Sequence, residues 1–160
     1  MSMFEIVFSP TGGTEKVSGL VTGTLDGNIV TVDLTDSGLD FHGVSMAKGD
    51  VAVISVPSYA GRVPAVAVER LGMVRGNGAR AVLVCVYGGR AFEDTLIELE
   101  DVAKRAGFGV VAAVSAIAEH SVARQFAAGR PDAQDVAQLA EFVQQIQQRL
   151  LAEDASEPSI

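Results

Sequence analysis

The chain has 160 residues, of which 48% are hydrophobic, and a formal net charge of −8 at pH 7. This length and hydrophobic content are typical of one globular domain with a sizeable core. The acidic balance argues against nucleic acid or an anionic membrane as the main partner, and a single cysteine, Cys85, excludes an internal disulfide framework or a multi-cysteine cluster. Because the sequence has neither a run of roughly 18 apolar residues nor a basic, then apolar, N-terminus, we expect a soluble, cytoplasmic protein.

Five short apolar stretches, rich in Val, Ile and Ala, predict strands buried on both faces of a parallel sheet. In chain order they are Met3–Phe8, Asn28–Leu34, Val51–Val56, Ala81–Tyr87 and Gly109–Ser115. Helical periodicity lies between and after them. Four helices are predicted. The first carries apolar residues from Val17 to Leu25, and the second begins at Pro64 and ends near Arg75. The third extends from Phe92 to Ala106, and the fourth extends from an N-cap at Asp132 to Leu150. The linker 35–49 allows one short helix around Phe41.

The alternation of strands and helices predicts a doubly wound α/β fold, since parallel neighbouring strands require right-handed crossovers. We expect a single domain over residues 1–152 and a disordered polar tail over residues 153–160. Ligands of such sheets bind beyond the carboxyl ends of the strands, where the winding reverses. The loops that follow the strands are therefore the candidates for a binding site.

The first of these loops, SPTGGT (Ser9–Thr14), joins the first strand to the first helix. Free N–H groups and the dipole at a helix start favour an anion, and the hydroxyls of Ser9, Thr11 and Thr14 can donate hydrogen bonds to it. The loop lacks the lysine of a nucleoside triphosphate loop and the G-x-G-x-x-G turn of a dinucleotide site. The pattern favours a phosphate monoester, with an ordinary N-cap turn as the alternative.

Four segments carry a resemblance to a known family. The loop SPTGGT resembles the FMN-phosphate loop of flavodoxins, in which a hydroxyl residue is followed by x-Thr-Gly-x-Thr. Three further segments are similar to the flavodoxin-like domain of bacterial flavodoxin–ferredoxin fusion proteins: VPSYAGRVP (Val56–Pro64), VYGGRAFEDTLIEL (Val86–Leu99) and AEHSVARQFAAGRPDAQD (Ala118–Asp135). The fusion proteins continue into a cysteine-rich cluster domain, whereas this chain ends, so we expect the flavodoxin-like part without the ferredoxin domain.

The resemblance implies a five-stranded flavodoxin-like sheet in the order 2-1-3-4-5, with helices on both faces and FMN as the cofactor. It implies that three loops hold FMN. The implied cofactor-binding residues are Ser9, Thr11, Gly12, Gly13 and Thr14 of the first loop, Pro57, Ser58, Tyr59, Ala60, Gly61 and Arg62 of the second loop, and Tyr87, Gly88, Gly89, Arg90 and Phe92 of the third loop.

The second and third loops have the chemistry that a flavin ring needs, which is aromatic faces for stacking and backbone groups along its polar edge. Tyr59 is the better candidate for stacking, while Phe92 fits equally well as the first core contact of its helix. Arg62 and Arg90 either contact phosphate or ribityl oxygens or lie in solvent. His120 follows the fifth predicted strand, either near the flavin or on the surface, and we predict no catalytic residue and no metal ligand.

Two classes of function fit these features. The resemblance favours an electron carrier that uses FMN to pass electrons between redox proteins, such as a ferredoxin-like protein or a reductase. The alternative is an FMN-dependent NAD(P)H reductase of a quinone, flavin or similar acceptor, although no long insertion supplies a nicotinamide pocket. An FMN-free interaction module is disfavoured by the intact phosphate loop. Five carboxylates after the third loop predict a negative rim that attracts a basic partner, with a solvated helix face as the alternative: Glu93, Asp94, Glu98, Glu100 and Asp101.

Overall fold

The structure, a computed structural model, describes residues 3–10, 13–22, 29–58, 62–87, 93–117, 137, 140–146 and 148, without the side chains of Glu93, Asp94 and Ile117. Strands and helices alternate along these ranges. In chain order the elements are β1 (Met3–Val7), α1 (Gly13–Thr22), β2 (Ile29–Asp33), a short 3-10 helix (Phe41–Gly43), β3 (Val51–Pro57), α2 (Ala65–Met73), β4 (Arg80–Tyr87), α3 (Glu93–Arg105) and β5 (Gly109–Ile117). Residues 140–146 form a further helical segment.

The five strands form one parallel sheet in the order β2-β1-β3-β4-β5. At the middle of the sheet, Ile6 of β1 pairs with Val32 of β2 on one side and with Ile54 of β3 on the other. The chain therefore moves outward in one direction after β1 and in the other direction from β3 onward. The predicted doubly wound fold and its strand order are confirmed, and the winding reverses between β1 and β3.

Helices cover both faces of the sheet. On one face, α2 and α3 contribute Leu71 and Leu99 to a core cluster that includes Ile54. On the other face, α1 and the segment 140–146 pack on Val53 and its neighbours. Because successive residues of a strand point to opposite faces, every residue of β3 is buried. This double burial explains the continuous apolar runs of the central strands β3 and β4. The prediction of burial on both faces is wrong for β2, which lies at the edge of the sheet and buries only Val32.

The element boundaries differ little from the predicted ones. Each strand end lies within two residues of its predicted position, and the largest difference is at β5, which continues to Ile117. The first helix begins at Gly13, inside the predicted phosphate loop. Most of the predicted last helix and the predicted tail 153–160 lie outside the described residues. No helix in the described ranges is long and apolar enough to cross a membrane.

The linker between β2 and β3 contains the predicted short helix, here a single 3-10 turn at Phe41–Gly43. Its Phe41 side chain is buried, and the Arg70 guanidinium of α2 lies 5.5 Å from the ring centroid. Arg70 also donates a hydrogen bond of 2.6 Å to the Leu34 carbonyl at the end of β2. Arg70 therefore links α2 to the start of this linker and to its 3-10 turn.

Candidate functional site

The loops after β1, β3 and β4 start side by side at one edge of the sheet. The Phe8 N–H, just past β1, donates to the Ser55 carbonyl of β3 at 3.0 Å. The Ser58 N–H, just past β3, donates to the Val86 carbonyl of β4 at 2.8 Å. Backbone pairing thus continues beyond the strand ends and brings the first residues of the three predicted FMN loops together.

Ser9 connects the first loop to α1 and to the end of β2. Its Oγ accepts a hydrogen bond of 2.9 Å from the Glu15 N–H in the first turn of α1. Its own N–H donates to Thr35 Oγ1 at 3.0 Å. Ser9 therefore satisfies one of the free N–H groups of the helix start, which is the capping function expected of an ordinary N-cap turn. The Ser9 hydroxyl still has its own proton to donate to a further acceptor.

The other residues of the first loop lie at the start of α1. Gly13 is the first residue of the helix, and the Thr14 side chain is buried immediately after it. Thr11 and Gly12 lie outside the described residues. The six residues of the loop carry hydroxyls and backbone N–H groups but no charged side chain. This donor set, at a helix start next to the reversal point of the winding, fits a phosphate monoester and thus the phosphate of FMN.

The second loop is held at both ends by α3. Pro57 is buried at the end of β3, and the Ser58 hydroxyl lies 2.7 Å from the Thr95 hydroxyl. Past the loop, the Val63 N–H donates to Glu98 Oε1 at 2.8 Å. Tyr59, Ala60 and Gly61 lie outside the described residues, so their predicted contacts with FMN stay predictions.

Arg62 forms a two-point ion pair with Glu98. Its Nη2 lies 2.7 Å from Oε2, and its Nε donates to Oε1 at 3.2 Å. The hydrogen bond from Arg62, together with the Val63 N–H and the charges of Arg62 and Arg105, holds the pKa of Glu98 below its ordinary value against a smaller opposing effect of burial. The sequence left Arg62 either on the ligand or in solvent, and the structure gives it a carboxylate partner on α3.

The third loop is described only at its first residue. Tyr87 ends β4 and is half-buried, whereas Gly88, Gly89, Arg90 and Phe92 lie outside the described residues, as does His120. Burial raises the pKa of the Cys85 thiol to about 12, and this residue lies inside the strand predicted at Ala81–Tyr87. No group of three or more His, Cys, Asp or Glu side chains that could hold a metal occurs in the described part of the chain.

Three of the five α3 carboxylates that were predicted to form a negative rim have a basic side chain as partner. Glu98 pairs with Arg62, and two further pairs connect successive turns of the helix. These are Glu100 with Lys104 at 2.7 Å and Asp101 with Arg105 at 2.9 Å. The side chains of Glu93 and Asp94 lie outside the description. Three of the five carboxylates of the predicted negative rim therefore each have a cationic partner within the chain, and the attraction of a basic partner stays a prediction.

The contacts of three residues with the loops were not predicted from the sequence. These residues are Thr35, Thr95 and Glu98. Thr95 and Glu98 are three positions apart, so they lie on the same face of α3. That spacing is visible in the sequence. The partners of these two side chains are 37 and 36 residues away along the chain, and the packing of α3 against α2, β4 and β5 brings them together.

Comparisons with known proteins agree with the fold. No family model matches the chain, and no curated protein matches it in sequence. Among solved structures, oxidised flavodoxin 1 from Bacillus cereus matches with a TM-score of 0.65 and 15% identity, over 92% of this chain and 98% of that one. The flavodoxin of Streptococcus pneumoniae TIGR4 matches with a TM-score of 0.63 and 19% identity, over 92% and 99% of the two chains.

A solved enzyme has a similarity of the same size. The apo form of the NADH:FMN oxidoreductase EMOB matches with a TM-score of 0.64 and 15% identity, over 95% of this chain and 90% of that one. At sequence identities this low, the structural similarity establishes a shared fold and nothing more. The chain has a flavodoxin-like fold, which these matches show in two flavodoxins and in an NADH:FMN oxidoreductase.

Proposed function

We propose that the protein binds one FMN at the carboxyl edge of its sheet and transfers electrons between redox partners, as a flavodoxin does. The observation that carries this proposal is the start of α1, where uncharged donors lie beside the reversal of the winding between β1 and β3. When bound, FMN supplies the electron-accepting and electron-donating chemistry.

The first loop holds the phosphate in this proposal. The hydroxyls of Ser9, Thr11 and Thr14 donate to phosphate oxygens, and the N–H groups at the start of α1 add to them. The favourable end of the helix dipole compensates part of the negative charge without a lysine or arginine in the loop. Because the loop provides donors for one phosphate and no pyrophosphate turn, FMN binds in preference to FAD.

The second and third loops hold the flavin ring. Tyr59 stacks on one face of it, and the backbone of residues 57–62 and 87–90 contacts its polar edge. Arg62 is not required as a phosphate ligand, because Glu98 already accepts its two-point hydrogen bond. The contacts of Ser58 and Val63 with α3 keep the ring-binding backbone of this loop in one place, where it excludes water from the flavin.

Reconstitution of the purified protein tests the cofactor assignment. The protein is freed of bound flavin, incubated separately with FMN and FAD, and passed through a desalting column before its absorption spectrum is recorded. We expect a yellow protein with one FMN per chain and little retained FAD. A protein that retains no FMN, or that retains FAD equally well, contradicts the proposal.

An FMN-dependent NAD(P)H reductase is the second candidate, favoured by the match to the NADH:FMN oxidoreductase at a TM-score close to that of the flavodoxins. Steady-state oxidation of NADH or NADPH by the FMN-loaded protein, with a quinone or free FMN as acceptor, distinguishes the two. A carrier gives no turnover above that of free FMN. Turnover that saturates with the nicotinamide and requires the protein makes the protein a reductase.

The partner of the carrier is a redox protein with a basic docking surface, because the chain carries a net charge of −8 and Glu93 and Asp94 follow the third loop. Cytochrome c serves as a basic test acceptor. Its reduction by the reduced, FMN-loaded protein should slow as ionic strength rises, since salt screens such attraction over about 10 Å at 0.1 M. The same rate at low and high salt shows that the encounter is not electrostatically steered.

A further inference from the structure

One face of α3 holds both ends of the second loop. Thr95 contacts Ser58, the residue before the three-residue stretch 59–61, at 2.7 Å between hydroxyl oxygens. Glu98 accepts hydrogen bonds from Arg62 and from the Val63 N–H, which directly follow that stretch. Since Thr95 and Glu98 are three residues apart on one helix, their separation is fixed by the helix itself.

The two contacts differ in chemistry and in exposure. Thr95 is fully buried and Ser58 is half-buried, so the hydrogen bond between them is partly shielded from competing water. The Glu98 side chain is 22% exposed, but its carboxylate accepts three hydrogen bonds, two from the planar guanidinium of Arg62 and one from a backbone N–H. Charge-assisted and bidentate bonds of this kind are stronger than neutral ones. α3 therefore fixes the loop through one partly buried neutral contact and one charged contact.

We propose that Thr95 and Glu98 are positioning residues that together set the spacing between the ends of the second loop and, through this loop, the reduction potential of FMN. The part that concerns FMN rests on the proposed function, whereas the part that concerns the loop does not. Neither residue needs to touch the cofactor. Both act through Ser58 and Arg62, which are themselves among the residues implied to bind FMN, and through the adjacent Val63.

The loop part is tested on the full-length chain without FMN. Trypsin cleaves after arginine, and the bond between Arg62 and Val63 contributes the N–H that Glu98 accepts. We expect Glu98→Gln to raise the rate of this cleavage roughly three- to tenfold, because it weakens a charged pair and a hydrogen bond. Glu100→Gln is the matched control, since it removes an exposed pair with Lys104 on the same helix and should leave the rate at its wild-type value.

Thr95→Val is the second variant, because Glu98→Gln also frees the Arg62 side chain for the protease. Valine keeps the shape of threonine without the hydroxyl and leaves the Arg62–Glu98 pair intact. We expect faster cleavage after Arg62 here as well, with Thr95→Ser restoring the wild-type rate. Cleavage after Arg80, the first residue of β4, requires this central strand to open, so it reports global unfolding and should stay unchanged. If only one of the two variants accelerates cleavage, or neither does, the shared positioning role is overturned.

The FMN part is tested by the reduction potential of the loaded protein, measured by equilibration with a redox dye. We expect Glu98→Gln and Thr95→Val to change the affinities for oxidised and reduced FMN by factors that differ about threefold or more, which shifts the potential, while Glu100→Gln leaves it unchanged. Altered cleavage with an unaltered potential overturns the FMN part alone. A chain that binds no FMN refutes the proposed function, and the cleavage rates still decide the loop part.

Discussion

The Glu5 carboxylate of β1 accepts a hydrogen bond of 2.7 Å from the Ser18 hydroxyl of α1. Ser55 of β3 donates to the same Ser18 oxygen at 2.8 Å, and Thr31 of β2 donates to the other oxygen of Glu5 at 3.3 Å. Glu5, Ser18 and Ser55 are all buried. This polar cluster connects α1 to three neighbouring strands and so fixes the helix whose first turn we propose to hold the phosphate of FMN.

Ser18→Ala should lower the free energy of unfolding by roughly 1–3 kcal/mol, because it leaves a buried carboxylate oxygen and the Ser55 hydroxyl without their partner. Urea unfolding followed by circular dichroism measures the change. Thr31→Val is the matched comparison and should cost less, since its hydrogen bond to Glu5 is longer and only partly buried. If Ser18→Ala is as stable as the wild type, the cluster does not hold α1 in place.

Gly76 and Gly72 should respond in opposite directions to replacement by alanine. A Cβ atom on Gly76 would lie 2.7 Å from the Gly107 carbonyl carbon and 2.8 Å from the Phe108 nitrogen. Both are backbone atoms that cannot move aside cheaply, so Gly76→Ala should destabilise the fold by about 1–3 kcal/mol. Gly72 is exposed in α2 with nothing within 4 Å of an added Cβ, so Gly72→Ala should stabilise the helix by about 0.5–1 kcal/mol.

Thermal and urea unfolding of the two variants measure these changes. Equal effects of the two substitutions would show that the close approach of Gly76 to the turn at Gly107 does not limit packing at that end of the sheet.

The ion pair of Glu98 predicts a loss of stability in acid. The folded-state pKa of Glu98 lies below its unfolded value, so its contribution is fully present above the unfolded pKa of about 4.3 and is lost as pH falls through the folded pKa. The Val63 amide resonance in NMR spectra follows this titration, because that N–H donates to Glu98. We expect its midpoint below about 4.3 in the wild type.

Arg62→Met removes the largest cause of the lowered pKa, so the midpoint of the Val63 resonance should move upward toward the ordinary value. A smaller lowering by Arg105 remains in that variant. If the midpoint is the same with and without Arg62, the ion pair is not formed in solution.

The fold was predictable because the patterns that specify it are local. The central strand β3 is buried on both faces, and its unbroken apolar run from Val51 to Val56 is the direct consequence. The exact start of α1 was harder to predict from the sequence. The helix begins at Gly13 within a glycine pair, where Ser9 reaches across the loop to the Glu15 N–H. Propensity alone places a helix start after such a pair.

The contacts around the second loop were not predictable from local sequence. Glu98 lies among carboxylates that suggest a solvated or partner-binding surface, yet it binds Arg62 from 36 residues away. Thr95 lies four residues before the core residue Leu99, so its position on the buried face of α3 follows from periodicity. Its hydroxyl partner Ser58, however, is 37 residues away along the chain. Periodicity shows which face of a helix is buried but does not show which loop end will lie against it.

The ratio of the affinities for FMN and riboflavin, measured by the quenching of flavin fluorescence on binding, tests the phosphate site most directly. The two flavins share the ring and the ribityl chain and differ only in the phosphate. We expect FMN to bind on the order of 100-fold more tightly or better, because hydrogen bonds to a charged group contribute roughly 1.5–3 kcal/mol each. Thr14→Ala should reduce this ratio about 10- to 150-fold, whereas Thr22→Val, at the other end of α1, should leave it unchanged. Equal affinities of the wild-type protein for FMN and riboflavin would contradict a phosphate site at the start of α1.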